Sequence, residues 1–480
     1  MEQKAMTAIH CDVLVIGGGP GGISAASKLA LAGKKATIIN EGPLMGYGID
    51  GAFRSKAGFE ISREYLHTRL RKHVFGELKP LKVETLQQGV AESAASLTKM
   101  LEKRLQRLAI EVIKGRGRFV DPHCVEVNGI RYRADNIIIA TGTRPRVLPG
   151  MEIDGRRVLT SDEVNELSIT PSSMLIIGAG IIGCEFASMF NALGTEVHLV
   201  DTQPVIMANE DPDLSHFMAK AFEKRGIKVI ASSRYQSMEL LDTSVKTTLS
   251  SGEIETETVL LAIGRMPCSD TMNIEASGVE LDQRGYISTG LDTCSSVAHI
   301  YAVGDIGNRN IPSDLALVHV AEAEGRCAAA HILSQEYPQS MNHIPYIIFT
   351  VPMLAGAGVN ETYAREKYGA VRIGKYPYAR NHRAHAIQPA AGFVKLIVGP
   401  EGDDRILGVR VVGPEADGIV SAASIIIERE LPYTYLLESI FPHPSLLECL
   451  KGAAHIIAGD SLMYEEGEEI TFADLDGFEP

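Results

Sequence analysis

The stretch from Cys11 to Asn40 decides the fold, and it reads CDVLVIGGGPGGISAASKLALAGKKATIIN. Its apolar start, Val13 to Ile16, has the length and composition of a strand that is buried on both faces. A turn with three glycines follows directly, and these are Gly17, Gly19 and Gly22. A helix is predicted over Ile23 to Ala32 and a second strand over Ala36 to Ile39. This G-x-G-x-x-G motif between a strand and a helix is typical of a dinucleotide site, where the helix N-terminus holds a pyrophosphate.

A second copy of the motif lies at Met174 to Asp201. The strand Leu175 to Ile177 leads into three more glycines, and these are Gly178, Gly180 and Gly183. A helix is predicted over Glu185 to Leu193, and the strand that follows it ends in Asp201, 23 residues after the first glycine. In the first motif, the residue 23 positions after the first glycine, Gly17, is Asn40. Two such units in one chain predict two bound dinucleotides.

The length and composition are those of a globular protein with several domains. The chain has 480 residues, of which 45% are hydrophobic, so we expect two to four domains with sizeable cores. No apolar run approaches the roughly 20 residues of a membrane span, and no signal-peptide core precedes Cys11. A net charge of −14 argues against nucleic acid as a partner. Seven cysteines without C-x-x-C spacing favour a reduced, cytoplasmic protein over a disulfide framework or a metal site.

Later segments repeat the organisation of the first unit. A buried strand that ends in Gly-x-x-Pro occurs twice, at 137–145 and again at 259–267. A third strand, from Ile300, delivers Asp305 to its carboxyl end, where ligands bind in such sheets. Beyond about residue 345, strands are predicted over Phe393 to Val398 and Ile406 to Val412, and helices from Asp417. The segment 442–448 is predicted to open the last helix.

From Cys11 to about Gly459, these motifs resemble the pyridine nucleotide–disulfide oxidoreductases, and most of all their dihydrolipoamide dehydrogenase branch. The resemblance implies an α/β fold with two Rossmann-like dinucleotide-binding domains, for FAD and NAD, and a C-terminal α+β dimerisation domain. It places the FAD-binding domain at 1–150 and 285–345, the NAD-binding domain at 151–284 and the dimerisation domain at 346–463. Residues 464–480 then form an acidic tail, which we interpret as a solvated, mobile end.

The resemblance also implies which residues bind the cofactors. Those expected at FAD are Gly17, Gly19, Gly22, the residue at 40, Lys56, Gly117, Thr141, Gly142, Thr143 and Asp305. Those expected at the nicotinamide cofactor are Gly178, Gly180, Gly183, Glu185, Asp201 and Gly264. His443 and Glu448 match the acid/base pair of the family, which reaches into the site of the partner subunit in a homodimer. With Lys56 and Glu185 they are the expected catalytic residues.

Two positions depart from the family pattern. The family usually has glutamate where this chain has Asn40, and either the amide of Asn40 or the neighbouring Glu41 can accept from a ribose hydroxyl. The family also carries a C-x-x-x-x-C pair beside the flavin, whose second cysteine lies four residues before the lysine that matches Lys56. The two cysteine positions are Tyr47 and Ala52 in this chain. A thiol relay needs two sulfurs within bonding reach, so this chemistry is expected to be absent.

The sequence therefore predicts an FAD-dependent, NADH-oxidising enzyme that passes electrons to a quinone, a small molecule or a carrier protein. One alternative is a soluble pyridine nucleotide transhydrogenase, which the segment 182–188 resembles and which also lacks an intact cysteine pair. A second alternative is a flavin-binding sensor or scaffold without turnover. His382 and His385 look like metal ligands, but a strand would point them to opposite faces, so no metal is expected.

Overall fold

The computed structural model describes residues 8–308, 316–337, 343–387 and 391–462, and the predicted acidic tail lies outside them. The chain divides into two compact units. The first takes its described residues from 1–61, 81–169 and 263–341, and the second takes them from 62–80, 170–262 and 342–480. The domain boundaries given above stay predictions.

Among the described residues, the strands are β1 (Ile9–Ile16), β2 (Ala36–Asn40), β3 (Glu111–Lys114), β4 (Arg118–Asp121), β5 (Cys124–Val127), β6 (Ile130–Ile139), β7 (Thr143–Pro145), β8 (Val158–Thr160), β9 (Ser173–Ile177), β10 (Glu196–Val200), β11 (Lys228–Ile230), β12 (Tyr235–Leu240), β13 (Val245–Leu249), β14 (Gly252–Thr256), β15 (Thr258–Leu261), β16 (Arg265–Pro267), β17 (Ile287–Ser288), β18 (Ile300–Ala302), β19 (Gly307–Asn308), β20 (Tyr346–Ile348), β21 (Leu354–Gly358), β22 (Arg372–Pro377), β23 (Phe393–Val398) and β24 (Ile406–Val412).

The α-helices of the same residues are α1 (Pro20–Leu31), α2 (Arg54–Leu70), α3 (Lys72–Phe75), α4 (Val83–Arg107), α5 (Ile181–Leu193), α6 (Pro212–Lys224), α7 (Val318–Ile332), α8 (Glu361–Tyr368), α9 (His382–Ile387), α10 (Ala416–Glu428), α11 (Thr434–Glu438) and α12 (Glu448–Ala458). A π-helix covers Gly48–Phe53, and short 3₁₀ helices cover Val164–Glu166, Ser269–Thr271, Ile274–Ser277, Gly304–Ile306 and Tyr378–Arg380.

The first unit is built on a parallel sheet in the order β3-β2-β1-β6. The first half of β6 also pairs with the antiparallel β5, and its second half pairs with the parallel β18. Side chains of β1 alternate between two cores: Leu14 and Ile16 lie in one, and Val13 and Val15 in the other. Because both faces of a parallel sheet are covered, β1 is apolar and buried from Val13 to Ile16, as its sequence predicts.

The second unit holds a parallel sheet and two antiparallel sheets. Strands β11, β10, β9 and β15 are parallel neighbours in that order, and β12, β13 and β14 form an antiparallel meander. The C-terminal sheet is antiparallel in the order β20-β21-β24-β23-β22. The strands predicted over 393–398 and 406–412 are confirmed as β23 and β24. The predicted α/β class with an α+β C-terminal part is the observed architecture.

Two expectations about local structure are wrong. The last helix, α12, begins only at Glu448, so the segment 442–447 precedes it rather than opening it. His382 and His385 lie on α9 and not on a strand, so the reason given against a metal at these two residues fails. His382 instead contacts His443, and the Nε2 atom of His385 lies 2.6 Å from the carbonyl oxygen of Ala379.

A buried lysine ties three elements of the second unit together. Lys395 on β23 is 1% exposed, and its ammonium lies 2.8 Å from Asp211, 2.8 Å from Asp213 and 3.0 Å from Glu361. Asp211 precedes α6, and its carboxylate also accepts from the backbone N–H groups of Glu361 and Thr362 at the start of α8. The lysine thus joins one strand to the N-termini of two helices.

No helix among the described residues is both long and apolar enough to cross a membrane.

Candidate active site

The first glycine motif brings backbone very close to backbone. Gly17 has φ of +109°, and a Cβ on this residue would overlap the carbonyl of Ala140 at the end of the neighbouring β6. A Cβ on Gly22 would overlap the carbonyl oxygen of Gly17. Gly19 caps α1, and the space around the position of its Cβ is open except for one atom 3.8 Å away. The motif therefore offers a helix N-terminus that a pyrophosphate can approach closely.

The second glycine motif is constructed in the same way. Gly178 has φ of +107°, and a Cβ on Gly183 would overlap the carbonyl oxygen of Gly178. Gly180 caps α5, and no described atom lies within 4 Å of the position of its Cβ. Each unit thus contains one strand–turn–helix site that fits a dinucleotide.

A polar side chain at the end of the second strand closes each glycine motif. The Asn40 side-chain oxygen accepts from Gly18 N at 2.8 Å, and the Asp201 carboxylate accepts from Ala179 N at 2.6 Å. Glu41 instead forms a bidentate pair with Arg116 at 2.9 and 3.1 Å. Because Asn40 makes the same contact as Asp201, the geometry favours Asn40 over Glu41 as the acceptor for a ribose hydroxyl.

The expected flavin residues at the ends of the strands lie around Thr143. Its hydroxyl donates to the Asp305 carboxylate at 3.1 Å, and Asp305 lies on the 3₁₀ helix Gly304–Ile306. The buried hydroxyl oxygen of Thr141 has no partner among the described residues, which is consistent with a polar group of a ligand at this point. Gly142 has φ of +64° with open space beside it, whereas Gly117 packs against Val125 and Ile16.

Tyr47, at one of the two positions where the resemblance predicts a cysteine, lies against an arginine. The guanidinium carbon of Arg265 is 4.1 Å from the centroid of the Tyr47 ring, and the ring is 38% exposed. Arg265 donates from Nε to the hydroxyl of Thr143 and from Nη2 to its carbonyl, at 2.8 Å each. A Cβ on Gly51 would overlap the tyrosine ring. Arg265 is not among the site residues predicted from the sequence, although it directly follows Gly264, which is one of them. Gly264 lies in the first unit and has φ of +94°.

The other expected position, Ala52, lies on the π-helix Gly48–Phe53, and Lys56 follows on α2. No disulfide joins any of the seven cysteines. Burial raises the pKa of six of the seven thiols, that of Cys11 to about 11. Reactive thiolates have a lowered pKa, so these cysteines have the character of buried structural residues.

The expected acid/base pair is assembled in the second unit. His443 Nδ1 lies 2.9 Å from Glu448 Oε1, and the other oxygen of Glu448 accepts from Ser445 N at 2.8 Å. Burial alone would raise the pKa of Glu448, but the hydrogen bonds from Ser445 and His443 outweigh it and hold this pKa below its usual range. An ionised Glu448 fixes the proton of His443 on Nδ1 and leaves Nε2 for proton exchange.

Glu185, the remaining expected catalytic residue, is buried on α5, and its Oε1 accepts from the backbone N–H of Phe349 at 3.0 Å. The binding and catalytic roles of all these residues stay predictions.

The sequence of the chain matches those of known proteins over nearly its whole length. The model of the pyridine nucleotide-disulphide oxidoreductase family matches residues 11–325, and that of its dimerisation domain matches residues 344–454. The chain is 32% identical over 462 residues to dihydrolipoyl dehydrogenase of Staphylococcus aureus, covering 94% of this chain and 97% of that protein. It is 31% identical over 463 residues to the mitochondrial dihydrolipoyl dehydrogenase of Pisum sativum, covering 92% and 90%.

Two solved structures superpose on nearly the whole chain. LpdA from Mycobacterium tuberculosis has a TM-score of 0.84 and 26% identity, with 93% of this chain and 99% of that chain covered. The Cu(II) complex of the HOCl-induced flavoprotein disulfide reductase RclA from Escherichia coli has a TM-score of 0.84 and 23% identity, with 93% and 99% covered. At 23% identity, the similarity to RclA shows only that the two proteins share a fold.

Proposed function

Because the chain belongs to the pyridine nucleotide-disulphide oxidoreductase family, we propose that it is an FAD-dependent, NADH-oxidising enzyme that works without a redox disulfide. The observation that carries the proposal is the pair of residues at the positions of the redox cysteines, Tyr47 and Ala52. The raised pKa of six of the seven thiols supports it further, because none of these six has the character of a redox thiolate.

The residues present fit both cofactors. We assign FAD to the first glycine motif, with Asn40 on the ribose, Thr141, Thr143 and Asp305 near the flavin end, and Lys56 on α2. We assign NADH to the second motif, with Asp201 on the ribose. Bound FAD supplies the two-electron chemistry between NADH and the final acceptor. The family's dimerisation domain matches residues 344–454, which indicates a homodimer.

The protein groups then have separate tasks. The two helix N-termini, at Gly19 and Gly180, hold the pyrophosphates through backbone N–H groups. The partly exposed Tyr47, backed by Arg265, lies where the cysteine pair would otherwise be, and an aromatic ring at this point suits contact with a planar acceptor such as a quinone. His443, oriented by Glu448, supplies a proton to the acceptor from Nε2.

A screen of acceptors tests the proposed function. We expect the NADH-reduced enzyme to be reoxidised rapidly by a quinone, another small oxidant or a carrier protein, and only negligibly by lipoamide or glutathione disulfide. Stopped-flow absorbance of the flavin under anaerobic conditions measures each rate. Fast turnover of lipoamide would contradict the proposal, because this reaction needs the thiol pair.

We expect the enzyme to prefer NADH over NADPH as the reductant of the flavin by roughly 10- to 1000-fold. A 2′-phosphate near the Asp201 carboxylate experiences a repulsion of about 1 to 4 kcal/mol at 4 Å, and 1.36 kcal/mol is a tenfold change. None of the eight residues after Asp201 is lysine or arginine. This preference also counts against the transhydrogenase alternative, which must accept both cofactors.

The rates of flavin reduction by NADH and NADPH measure this preference. Asp201→Asn should reduce the preference for NADH, since the amide carries no charge that repels a 2′-phosphate. Glu196→Gln, at the opposite end of the same strand β10, removes an equal charge and serves as the control that should leave the preference unchanged. Equal rates with the two cofactors in the wild-type protein would instead favour the transhydrogenase.

A further inference from the structure

A second imidazole faces His443. While Nδ1 of His443 lies 2.9 Å from Glu448, its Nε2 lies 3.4 Å from Nδ1 of His382. The two rings meet edge to face, with centroids 5.2 Å apart and an interplanar angle of 83°. Glu448, His443 and His382 therefore form a chain of three groups in which both nitrogens of the middle ring have a partner.

The neighbouring Asn381 holds this arrangement in place. Its buried side chain accepts from the backbone N–H of Ala384 at 3.0 Å, which caps the helix that carries His382. The same side chain donates to the carbonyl oxygen of Ser445 at 3.0 Å, two residues beyond His443. The buried amide of Asn381 thus bonds both to α9, which carries His382, and to the loop that carries His443. These bonds hold the backbone at the two histidines close together.

We propose that His382 is a positioning residue that acts through His443, by exchanging a proton with its Nε2 atom. The inference rests on the proposed function, in which His443 gives a proton to the acceptor. As the Nε2–H bond of His443 breaks towards the acceptor, the imidazolium form of His382 restores it: its Nδ1–H bond breaks and the new N–H bond forms on His443. The exposed ring of His382 then takes a proton from the buffer acid.

Few other charges act on this pair. Glu448 faces it from α12, with one carboxylate oxygen 2.9 Å from Nδ1 of His443. Arg383, next to His382 on α9, is paired at 3.4 Å with Glu415, which precedes α10. His385 lies one helical turn from His382, and its Nε2 is directed to the carbonyl of Ala379. The contact with His382 is therefore the main local feature that distinguishes this site from an isolated His–Glu pair.

The contact between the two rings has a kinetic consequence. Without His382, the proton that leaves Nε2 of His443 can be replaced only from the solvent. Reoxidation should then depend on a small proton donor in solution, whose place the exposed ring of His382 otherwise takes.

The test compares His382→Ala with the matched control His385→Ala on the same helix. Stopped-flow measures reoxidation of the NADH-reduced enzyme with and without added imidazole. We expect reoxidation of His382→Ala to be about 10-fold slower than that of the wild-type and control proteins, less than the loss of a direct general acid causes. Added imidazole should restore the rate of His382→Ala and leave the rates of the other two proteins unchanged.

A slow rate in His382→Ala that added imidazole does not restore would overturn the inference. If His443→Ala slows reoxidation but His382→Ala does not, the exchange between the two rings is refuted while the proton-donor role of His443 stands. If neither variant changes the rate, the proton-donor role itself fails, and the inference fails with it.

Discussion

Replacement of His443 by alanine is expected to slow reoxidation of the NADH-reduced enzyme by about 10²- to 10⁴-fold, the usual contribution of a general acid. Reduction by NADH should stay near the wild-type rate, because hydride transfer from NADH needs no proton from this residue. The slow reoxidation is expected because Glu448 lies 2.9 Å from Nδ1 of His443, which leaves Nε2 of the same ring to exchange a proton. Stopped-flow measurement of the two half-reactions separates the two effects.

A complementation experiment checks that the histidine acts across the dimer. In the family, the matching residue reaches into the partner's site, so a mixed dimer of Lys56→Ala and His443→Ala chains should recover one working site. His385→Ala is the control for the loss of a nearby imidazole. Reoxidation of His443→Ala at the wild-type rate would show that the residue only packs the subunit interface and that protons come from water.

The second large effect is one of stability. Lys395→Met is expected to lower the free energy of unfolding by about 3 to 5 kcal/mol, because it leaves the buried carboxylate of Asp211 without its cation. Asp211, Asp213 and Glu361 surround the ammonium at 2.8 to 3.0 Å. Urea unfolding at fixed protein concentration measures the change. Lys375→Met, which removes a more exposed partner of Asp213, should cost less, and an equal loss in both variants would contradict the account.

The same network gives a pH dependence. Burial would raise the pKa of Asp211 and of Asp213, but Lys395 outweighs it and holds both below their usual range. Their contribution to stability is therefore present above the ordinary aspartate pKa, about 3.9, and is lost as the pH falls through the folded values. Burial would lower the pKa of Lys395, but the aspartates raise it, so its contribution disappears only as the pH rises above the ordinary value for lysine.

The two glycine motifs and the residues that close them could be predicted from sequence because their spacing is local. Gly17 to Asn40 and Gly178 to Asp201 each span a single strand–turn–helix–strand unit, so that the chain itself determines which groups meet. The strands β23 and β24 were predictable for the same reason, since their apolar runs are continuous.

The contacts that the sequence did not reveal join residues far apart in the chain. Tyr47 meets Arg265 across more than 200 positions, and Lys395 meets Asp211 across a similar distance. The contact of His382 with His443 depends on a short helix that was predicted as a strand. No local pattern encodes these pairs, because they form only when separate elements pack against each other.

The proposed absence of a redox disulfide is tested most directly by anaerobic titration with NADH without an acceptor. A flavin without a thiol pair stores two electrons, so we expect reduction to be complete after one NADH per FAD. The variant with Tyr47→Cys and Ala52→Cys, which puts two thiols at the family positions, should take up a second equivalent. Uptake of two NADH per FAD by the wild-type protein would show that it contains a redox pair, and would contradict the proposed function.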